Sequence, residues 1–383
     1  MALHFERSEY AARIERVTDA LAAQGLDGLL MFHQESMYYL TGYDTFGFCF
    51  FQCLYLDVNG NISLLTRSAD LRQAQHTSII KDIRIWSDEA GAEPAGQLKD
   101  MLVSLKANGK RLGIENNSYG LTHFNGKAVD GALDGFCQLV EASDLVSAIR
   151  CVKSPAELAY VRRAGELGDE ALDAGLAKTC AGANEGDILA AQQAAVFAGG
   201  GDYPGNEFII GSGHDALLCR YKAGRRVLDA RDQLTLEFAG VYRHYHAAMM
   251  RTVIIGEPQS EHLAMYAACR AALEAVEEKM RPGNTAGDVF DAHARQMDGH
   301  GMQEHRLNAC GYALGAKFTP SWMDYPMFFH GNATELVENM VFFAHMILMD
   351  SHSGYAMTLG RSYIVSANGP VSVSRHSLDM IVV

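Results

Sequence analysis

The sequence lacks the patterns that mark a nucleic-acid-binding, membrane-bound or secreted protein. It has no Lys/Arg-rich run, and 46 acidic residues outnumber 32 basic ones, for a formal net charge of −14. That balance argues against nucleic acid and anionic membrane surfaces as partners. No run of about 18 apolar residues occurs, and the N-terminus lacks the basic-then-apolar layout of a secretion signal. We therefore expect a cytoplasmic protein.

Cysteine pairs spaced for metal or redox chemistry are also missing. The eight cysteines are scattered without a C-x-x-C pair. Cys49 and Cys53 are close in sequence, but no matching Cys/His cluster lies near them, so we interpret all eight as reduced thiols. What the sequence does have is length: 383 residues with 48% hydrophobic content are enough to bury two domain cores.

The pattern of apolar residues changes near residue 152. Residues 1–152 alternate helical and strand patterns, which predicts a small α/β domain. A strong helix start follows, because Ser154 is suited to cap a helix, Pro155 suits its first position and Glu157 completes a capping box. Residues 153–383 alternate long helices with antiparallel-looking strand pairs, so we predict that this second domain is α+β.

Six motifs occur in the order that one superfamily shows. They are LTGYD (40–44), KSPAELAYVRRAGELGDEAL (153–172), GSGHDALLCR (211–220), LEFAGVYRHYHAAMMRT (236–252), CGYALG (310–315) and ENMVFFAHM (338–346). Together they resemble the pita-bread superfamily of methionine aminopeptidase, prolidase and creatinase, with a creatinase-type N-terminal domain. The resemblance implies a homodimer in which the N-terminal domain reaches the active site of the partner.

Metal-dependent members of that superfamily hold two metal ions with two aspartates, one histidine and two glutamates. The resemblance places four of these positions on Glu237, Ala248, Tyr312 and His345, and the fifth on or beside Gly360. Two hard divalent ions need several carboxylate oxygens, and alanine and glycine supply none. We therefore expect no metal and no other cofactor. The alternative is a single metal at a shifted site, built from histidines 244, 246, 330 and 345.

The chain most resembles the metal-free branch of the superfamily, which includes creatinase and ectoine hydrolase. The residues that match ectoine hydrolase are Glu237, Ala239, Gly240, Tyr245, His246, Arg251, Thr252, Gly311, Tyr312 and Gly315. The chain departs from that family in two places. Arg220 stands where the family tends to place a substrate-facing histidine, and no glutamate lies near Gly360. The resemblance therefore implies a fold and a reaction type more than a substrate.

The central hairpin carries the candidate chemistry. If residues 233–242 and 243–256 pair with 237 opposite 248, one face of the hairpin holds Glu237, Ala239, His244, His246, Ala248 and Met250. The two alanines leave room for an organic substrate to reach Glu237. A carboxylate in a partly apolar pocket has a raised pKa and can act as nucleophile or as proton carrier. The resemblance favours Glu237 as nucleophile, with general base as the alternative.

Four further residues complete the predicted site. We predict that His345 and His246 carry protons and that Tyr312 donates a hydrogen bond to a developing oxyanion. Arg220 is predicted to bind a substrate carboxylate. The structural alternatives are a core histidine at 345, a space-filling tyrosine at 312 and an ion pair of Arg220 with Asp215.

Five more residues are candidates for binding substrate. They are His244 on the hairpin, Asp324 and His330 in the loop before the ENMVFF strand, and Phe46 and Phe48 in the N-terminal domain. In relatives the loop that contains the two phenylalanines reaches across a dimer interface, so either ring could close the pocket over an apolar or cationic group. Ordinary core packing explains the two phenylalanines equally well, and a surface or loop role is the simpler interpretation of Asp324 and His330.

We conclude from the sequence that the chain is a metal-independent hydrolase that cleaves a C–N bond in a small nitrogen compound. The compound would carry a carboxylate and be of the ectoine, creatine or compatible-solute type. Two enzyme alternatives are a lyase acting on dimethylsulfoniopropionate and a metal-dependent Xaa-Pro peptidase. A catalytically inactive binding protein is the alternative from another class.

Overall fold

The computed structural model describes residues 3–220 and 224–383. The chain forms two compact units, the first ending at Arg150 and the second beginning at Cys151, two residues before the domain start predicted at 153. Each unit is described by itself below. Within the described ranges, every helix is too short or too polar to cross a membrane.

The N-terminal unit is a mixed sheet with helices. Its elements are α1 (Arg7–Ala23), β1 (Gly28–Met31), α2 (Gln34–Thr41), β2 (Cys53–Asp57), β3 (Ile62–Arg67), α3 (Leu71–Thr77), β4 (Asp82–Trp86), α4 (Pro94–Ser104), β5 (Arg111–Ile114), α5 (His123–Leu133), β6 (Gln138–Glu141) and α6 (Ser143–Cys151), whose last residue already belongs to the second unit. The strands lie in the order β4-β3-β2-β1-β5-β6. Two apolar clusters make the core. The predicted α/β class of this unit is confirmed.

The C-terminal unit packs long helices against a larger sheet. Its elements are α7 (Pro155–Leu176), α8 (Glu185–Ala198), β7 (Ile209–Ser212), β8 (Asp232–Tyr242), β9 (Tyr245–Ile255), α9 (Ser260–Lys279), α10 (Ala286–Gly299), β10 (Gly311–Ala313), β11 (Asp324–Met327), β12 (Val341–Asp350), β13 (Tyr355–Ser366), β14 (Gly369–Ser372) and β15 (Ile381–Val382). The order β11-β10-β12-β13-β9-β8-β7 is antiparallel throughout. Antiparallel strands with separate helices make this unit α+β, as predicted.

Helix α7 begins as the sequence predicts. The Ser154 side chain accepts a hydrogen bond from the backbone N–H of Glu157 (3.3 Å), and Glu157 Oε2 accepts one from the backbone N–H of Ser154 (2.9 Å). Pro155 occupies the first turn. This capping box satisfies two N–H groups that a helix start leaves unpaired. The predicted helix start is confirmed.

The hairpin of β8 and β9 is confirmed, but the predicted register is wrong by two residues. Glu237 lies opposite Met250, and Ala239 lies opposite Ala248. The shift arises because Arg243 and His244 form a tight two-residue turn with positive φ angles of 51° and 64°. A shift of two residues preserves the face on which each side chain lies, except that His244 leaves the strand for the turn.

The other face of the hairpin packs directly on helix α7. A Cβ atom added at Gly240 would lie 1.9 Å from the carbonyl oxygen of Ala164 and 2.3 Å from the backbone nitrogen of Gly168. Both neighbours are backbone atoms, which cannot rotate away. Because adjacent strand residues face opposite sides, this contact directs Glu237 and Ala239 away from the helix. The close approach at Gly240 therefore determines which face of the hairpin carries the candidate site.

We expect Gly240→Ala to destabilise the C-terminal unit by about 3 kcal/mol or more, because the added methyl forces helix and hairpin apart. The matched control is Gly299→Ala at the end of α10, where an added Cβ has no neighbour within 4 Å among the described residues. That change should be neutral or stabilise by up to about 1 kcal/mol. Urea unfolding measures both, and equal stabilities would refute the packing argument.

Candidate functional site

One row of paired residues crosses the sheet and carries the site. His345 on β12 lies opposite Gly360 on β13, Gly360 lies opposite Met250 on β9, and Met250 lies opposite Glu237 on β8. Directly opposed residues in an antiparallel pair point to the same face. The sheet thus places the carboxylate and the imidazole on one face, separated by a methionine and a glycine.

Glu237 is a buried carboxyl group, with 7% of its surface exposed. Burial raises its pKa from an ordinary value of 4.5 to about 7, because the charged form loses hydration. The positive charge of Arg220 and a hydrogen bond from Tyr312 act in the opposite direction. The carboxyl group is therefore present in both protonation states near neutral pH, as a nucleophile or general base requires.

Tyr312 links Glu237 to a buried tryptophan. The Tyr312 hydroxyl lies 3.4 Å from Glu237 Oε1 and donates to it, and the indole N–H of Trp322 donates to the same hydroxyl (2.8 Å). Burial raises the pKa of Tyr312 well above its ordinary value, so the phenol keeps its proton. A neutral phenol is a hydrogen-bond donor suited to an oxyanion. Sequence reasoning missed Trp322, although it noted the loop around it.

His345 is buried on the same face, with its ring 5.5 Å from that of Tyr312 and 5.3 Å from that of Phe343. Burial lowers its pKa to about 4, and the charge of Arg220 contributes. The imidazole is therefore neutral at pH 7. Its Nδ1 atom has no hydrogen-bond partner elsewhere in residues 3–220 and 224–383, which leaves that nitrogen available to a substrate.

Arg220 is exposed, and its positive charge acts on Glu237, Tyr312 and His345. The sequence left open an ion pair of Arg220 with Asp215, and none joins these two side chains in the part of the chain that the structure describes. One buried carboxylate, that of Glu185, anchors the chain at a residue before Arg220 and at a residue after it. Glu185 accepts hydrogen bonds from the backbone N–H of Ser212 (2.7 Å) and of Arg226 (3.1 Å). Sequence reasoning missed this anchor.

His246 has a different environment from the one predicted for a proton carrier. Its Nε2 atom accepts a hydrogen bond from the backbone N–H of Gly205 (2.8 Å), and its Nδ1 atom faces the carbonyl of Gly315 (3.4 Å). These partners assign the proton to Nδ1. Burial lowers the pKa of His246 to about 3. With both nitrogens bound to backbone, the imidazole holds two loops in place, and neither nitrogen is free to bind a substrate proton.

Two predicted substrate-binding residues lie away from the carboxylate. His244 occupies the hairpin turn, where its ring stacks on Phe318 at 4.3 Å, so the prediction that it shares the face of Glu237 is wrong. His330 is a surface residue with 82% of its side chain exposed, and it pairs with Asp291 at 2.8 Å. It lines a surface groove of about 440 Å³ instead of the buried site.

The remaining candidates stay predictions. Asp324 lies on β11 and pairs with Lys317 at 3.8 Å. In the N-terminal unit, Phe46 is 76% exposed and precedes a short 3-10 turn, whereas Phe48 is buried. Exposure leaves the Phe46 ring available for contact, and burial makes Phe48 a core residue.

The residues at the five ligand positions do not fit a pair of metal ions. Ala248 and Gly360 provide no side-chain donor, and Tyr312 keeps its proton. A Cβ atom at Gly360 would lie 3.0 Å from a ring carbon of Phe343, so that ring already fills the space that a glutamate would need. In the part of the chain that the structure describes, no three His, Cys, Asp or Glu side chains are grouped to hold a metal.

Comparison with known proteins agrees with this architecture. The chain is 29% identical to the ectoine hydrolase of Halomonas elongata over 346 residues, covering 85% of this chain and 86% of that protein. It is 24% identical to an Xaa-Pro dipeptidase of Pyrococcus furiosus, covering 63% and 67%. The prolidase structure from Thermococcus sibiricus superposes with a TM-score of 0.87 at 19% identity, covering 98% and 99%.

Two family assignments cover most of the sequence. Residues 13–152 match the Creatinase/Prolidase N-terminal domain, and residues 159–367 match Metallopeptidase family M24. Together with the ectoine hydrolase relative, these matches support a hydrolase. The chain belongs to Metallopeptidase family M24 and carries a creatinase/prolidase-type N-terminal domain.

Proposed function

We propose that this chain is a metal-independent hydrolase that cleaves a C–N bond in a small nitrogen compound bearing a carboxylate. The observation that carries the proposal is the buried carboxyl group of Glu237, whose pKa is raised to about 7 beside the hydroxyl of Tyr312. These two groups occupy positions that bind metal in metal-dependent relatives. The similarity to the Halomonas elongata ectoine hydrolase supports the same reaction type.

The proposed reaction begins with the ionised form of Glu237. One carboxylate oxygen attacks the carbon of the C–N bond, the nitrogen leaves with a proton, and water then hydrolyses the covalent intermediate to restore the carboxylate. Attack places negative charge on an oxygen or nitrogen atom bonded to the attacked carbon, and Tyr312 donates a hydrogen bond to that atom. If Glu237 instead removes a proton from water, the same net hydrolysis follows without a covalent intermediate.

His345 is the proposed proton carrier of the site. Its neutral imidazole faces the same side as Glu237, and its Nδ1 atom is unpartnered within the described chain. A neutral imidazole accepts a proton from attacking water or passes one to the departing nitrogen. Tyr312 is close to both groups, with its hydroxyl 3.4 Å from Glu237 Oε1 and its ring 5.5 Å from that of His345.

Arg220 is the proposed anchor for a substrate carboxylate. Its guanidinium is exposed yet close enough to influence the ionisation of Glu237. A planar permanent cation at the edge of a buried site suits a carboxylate at one end of a substrate whose reacting carbon lies deeper. Ectoine-like cyclic amidines, creatine-like guanidino acids and related compatible solutes have this layout.

We further propose that the protein acts as a cytoplasmic homodimer, with the exposed Phe46 ring contributing to the partner's pocket. The second candidate function is a metal-dependent Xaa-Pro peptidase, favoured by the similarity to the Pyrococcus furiosus dipeptidase. The missing ligand side chains at Ala248 and Gly360 weigh against that candidate. A lyase or an inactive binding protein would share the fold but would give no hydrolysis product.

Glu237→Gln should abolish turnover, with a fall of about a thousandfold or more, because an amide is neither nucleophile nor base at neutral pH. The substrate is first identified by screening cyclic amidines, betaines, guanidino acids and dipeptides for turnover. Glu277→Gln is the matched control. The Glu277 carboxylate, on helix α9, accepts hydrogen bonds from Tyr363 (2.6 Å) and Arg361 (2.8 Å). This variant should retain activity.

Retention of most activity in Glu237→Gln would remove the proposed mechanism. Elemental analysis of the purified wild-type protein accompanies the assay. Stoichiometric iron, zinc or manganese together with dipeptide cleavage would favour the peptidase. Mass spectrometry after rapid quenching distinguishes nucleophile from base, since only a nucleophile leaves substrate bound covalently to Glu237.

The raised pKa of Glu237 also predicts a pH-dependent stability. The unfolded carboxyl group ionises near 4.5 and the folded one near 7, so the folded wild type holds a proton that the unfolded chain has released. The contribution of Glu237 to the free energy of unfolding therefore falls between those two pH values and is constant above them. Glu237→Gln lacks this penalty and should gain about 3 kcal/mol relative to wild type over that range. Urea unfolding at pH 5 and pH 8 measures the gain, and a constant difference would refute the raised pKa.

Arg220→Gln should raise the KM for a carboxylate-bearing substrate by about tenfold or more and change kcat less, since the lost charge-assisted hydrogen bonds act on binding. Arg225→Gln, which removes an exposed cation from the same segment, is the control and should leave KM unchanged. The amide analogue of the substrate sharpens the test. If Arg220→Gln affects acid and amide equally, Arg220 does not bind the carboxylate.

A further inference from the structure

Trp322 occupies an unusual place for a tryptophan, in a loop yet only 1% exposed. Its indole N–H donates to the hydroxyl of Tyr312 at 2.8 Å, and that hydroxyl lies 3.4 Å from Glu237 Oε1. The three side chains form a chain of two hydrogen bonds that runs from the loop to the carboxylate. The direction of each hydrogen bond in this chain affects the chemistry of Glu237.

An indole N–H donates and never accepts. The oxygen of Tyr312 must therefore accept a hydrogen bond from Trp322, and the single proton of the phenol points toward Glu237. Without the indole, the same hydroxyl could turn its proton elsewhere and present a lone pair to a protonated Glu237. The indole thus removes one of two possible orientations of the phenol proton.

Trp322 is itself held on two sides. Its backbone N–H donates to Asn206 Oδ1 at 3.1 Å, and a Cβ atom added at Gly205 would lie 2.8 Å from the same nitrogen. The N–H of Gly205 donates to His246, whose ring centre lies 6.2 Å from that of Trp322. These contacts give the indole little freedom to move, and they give His246 a purpose in the site.

We propose that Trp322 is a positioning residue, which fixes Tyr312 as a hydrogen-bond donor toward Glu237 and toward the oxygen or nitrogen that gains charge during the reaction. Trp322 touches no reacting atom and acts only through Tyr312. The proposal rests on the proposed function for the identity of the reacting group, Glu237. It goes beyond that function by assigning the direction of one proton.

The experiment measures how Glu237 titrates, without any substrate. Carboxyl-labelled glutamate is incorporated, and the NMR signal of Glu237 is identified by its absence in Glu237→Gln. Tyr312→Phe removes the donor and should raise the midpoint of the titration by about one pH unit. Trp322→Phe should raise it in the same direction by about half a unit, because the phenol becomes free to accept.

The double variant decides whether Trp322 acts through Tyr312. Trp322→Phe combined with Tyr312→Phe should titrate as Tyr312→Phe alone, since no phenol remains to be oriented. Trp86→Phe is the matched control: Trp86 is the other of the two tryptophans, and its buried indole donates to the carbonyl of Phe51 at 2.8 Å in the N-terminal unit. It should not change the titration.

Two outcomes would overturn the proposal. A midpoint unchanged in Trp322→Phe, with only a loss of stability, would make the indole a core filler. Additive shifts in the double variant would give Trp322 an effect independent of Tyr312. If Trp322→Phe does not fold, the sulfur isostere benzothienylalanine replaces Trp322 in the Trp86→Phe background and removes only the indole N–H. A titration midpoint of Glu237 that does not shift in this variant would equally refute the proposal.

Activity provides a second, separable readout. With a substrate in hand, Trp322→Phe should lower kcat by about tenfold and leave KM nearly unchanged, because the oriented donor acts in the transition state. A change confined to KM would contradict the proposal. If Glu237→Gln proves active, the proposed function fails, yet the titration still tests whether Trp322 orients Tyr312.

Discussion

Burial of one carboxyl group, that of Glu237, is the constraint on which the candidate site depends. The sheet directs this side chain away from helix α7, because the opposite face of the hairpin packs against that helix at Gly240. Loss of hydration then raises its pKa to about 7. An isolated buried charge is costly, so the site needs groups that stabilise the ionised form without neutralising it completely. Tyr312 and the positive charge of Arg220 have that effect.

The same constraint bears on the proposal that the site works without metal. Two divalent cations would stabilise several carboxylates and would make each of them ionised. Beside Gly360, the ring of Phe343 already lies 3.0 Å from where a side chain would begin. The remaining carboxylate then has neutral neighbours in Tyr312 and His345. A reaction that uses a carboxylate as reactant is consistent with such surroundings, since its basicity is retained.

The fold was predictable from the sequence because its signals are local. The capping box at Ser154 and the alternation along the hairpin each depend on residues a few positions apart. The register was less accessible, because Arg243 and His244 form a turn that normally favours glycine or asparagine. The face of Glu237 was nevertheless predicted correctly, since an error of two residues preserves the period of a strand.

The task of His246 could not be read from the sequence for a different reason. Its partners are backbone groups of Gly205 and Gly315, which lie 41 and 69 positions away and carry no side-chain signal. A buried imidazole whose two nitrogens are both hydrogen-bonded to backbone holds those backbone segments in place and has no nitrogen free to bind a substrate proton. At neutral pH, the low pKa values of His246 and His345 leave Glu237 itself as the group whose protonation changes most readily. The proton balance of the site therefore depends on the hydrogen bond that Tyr312 donates, and through it on the loop that carries Trp322.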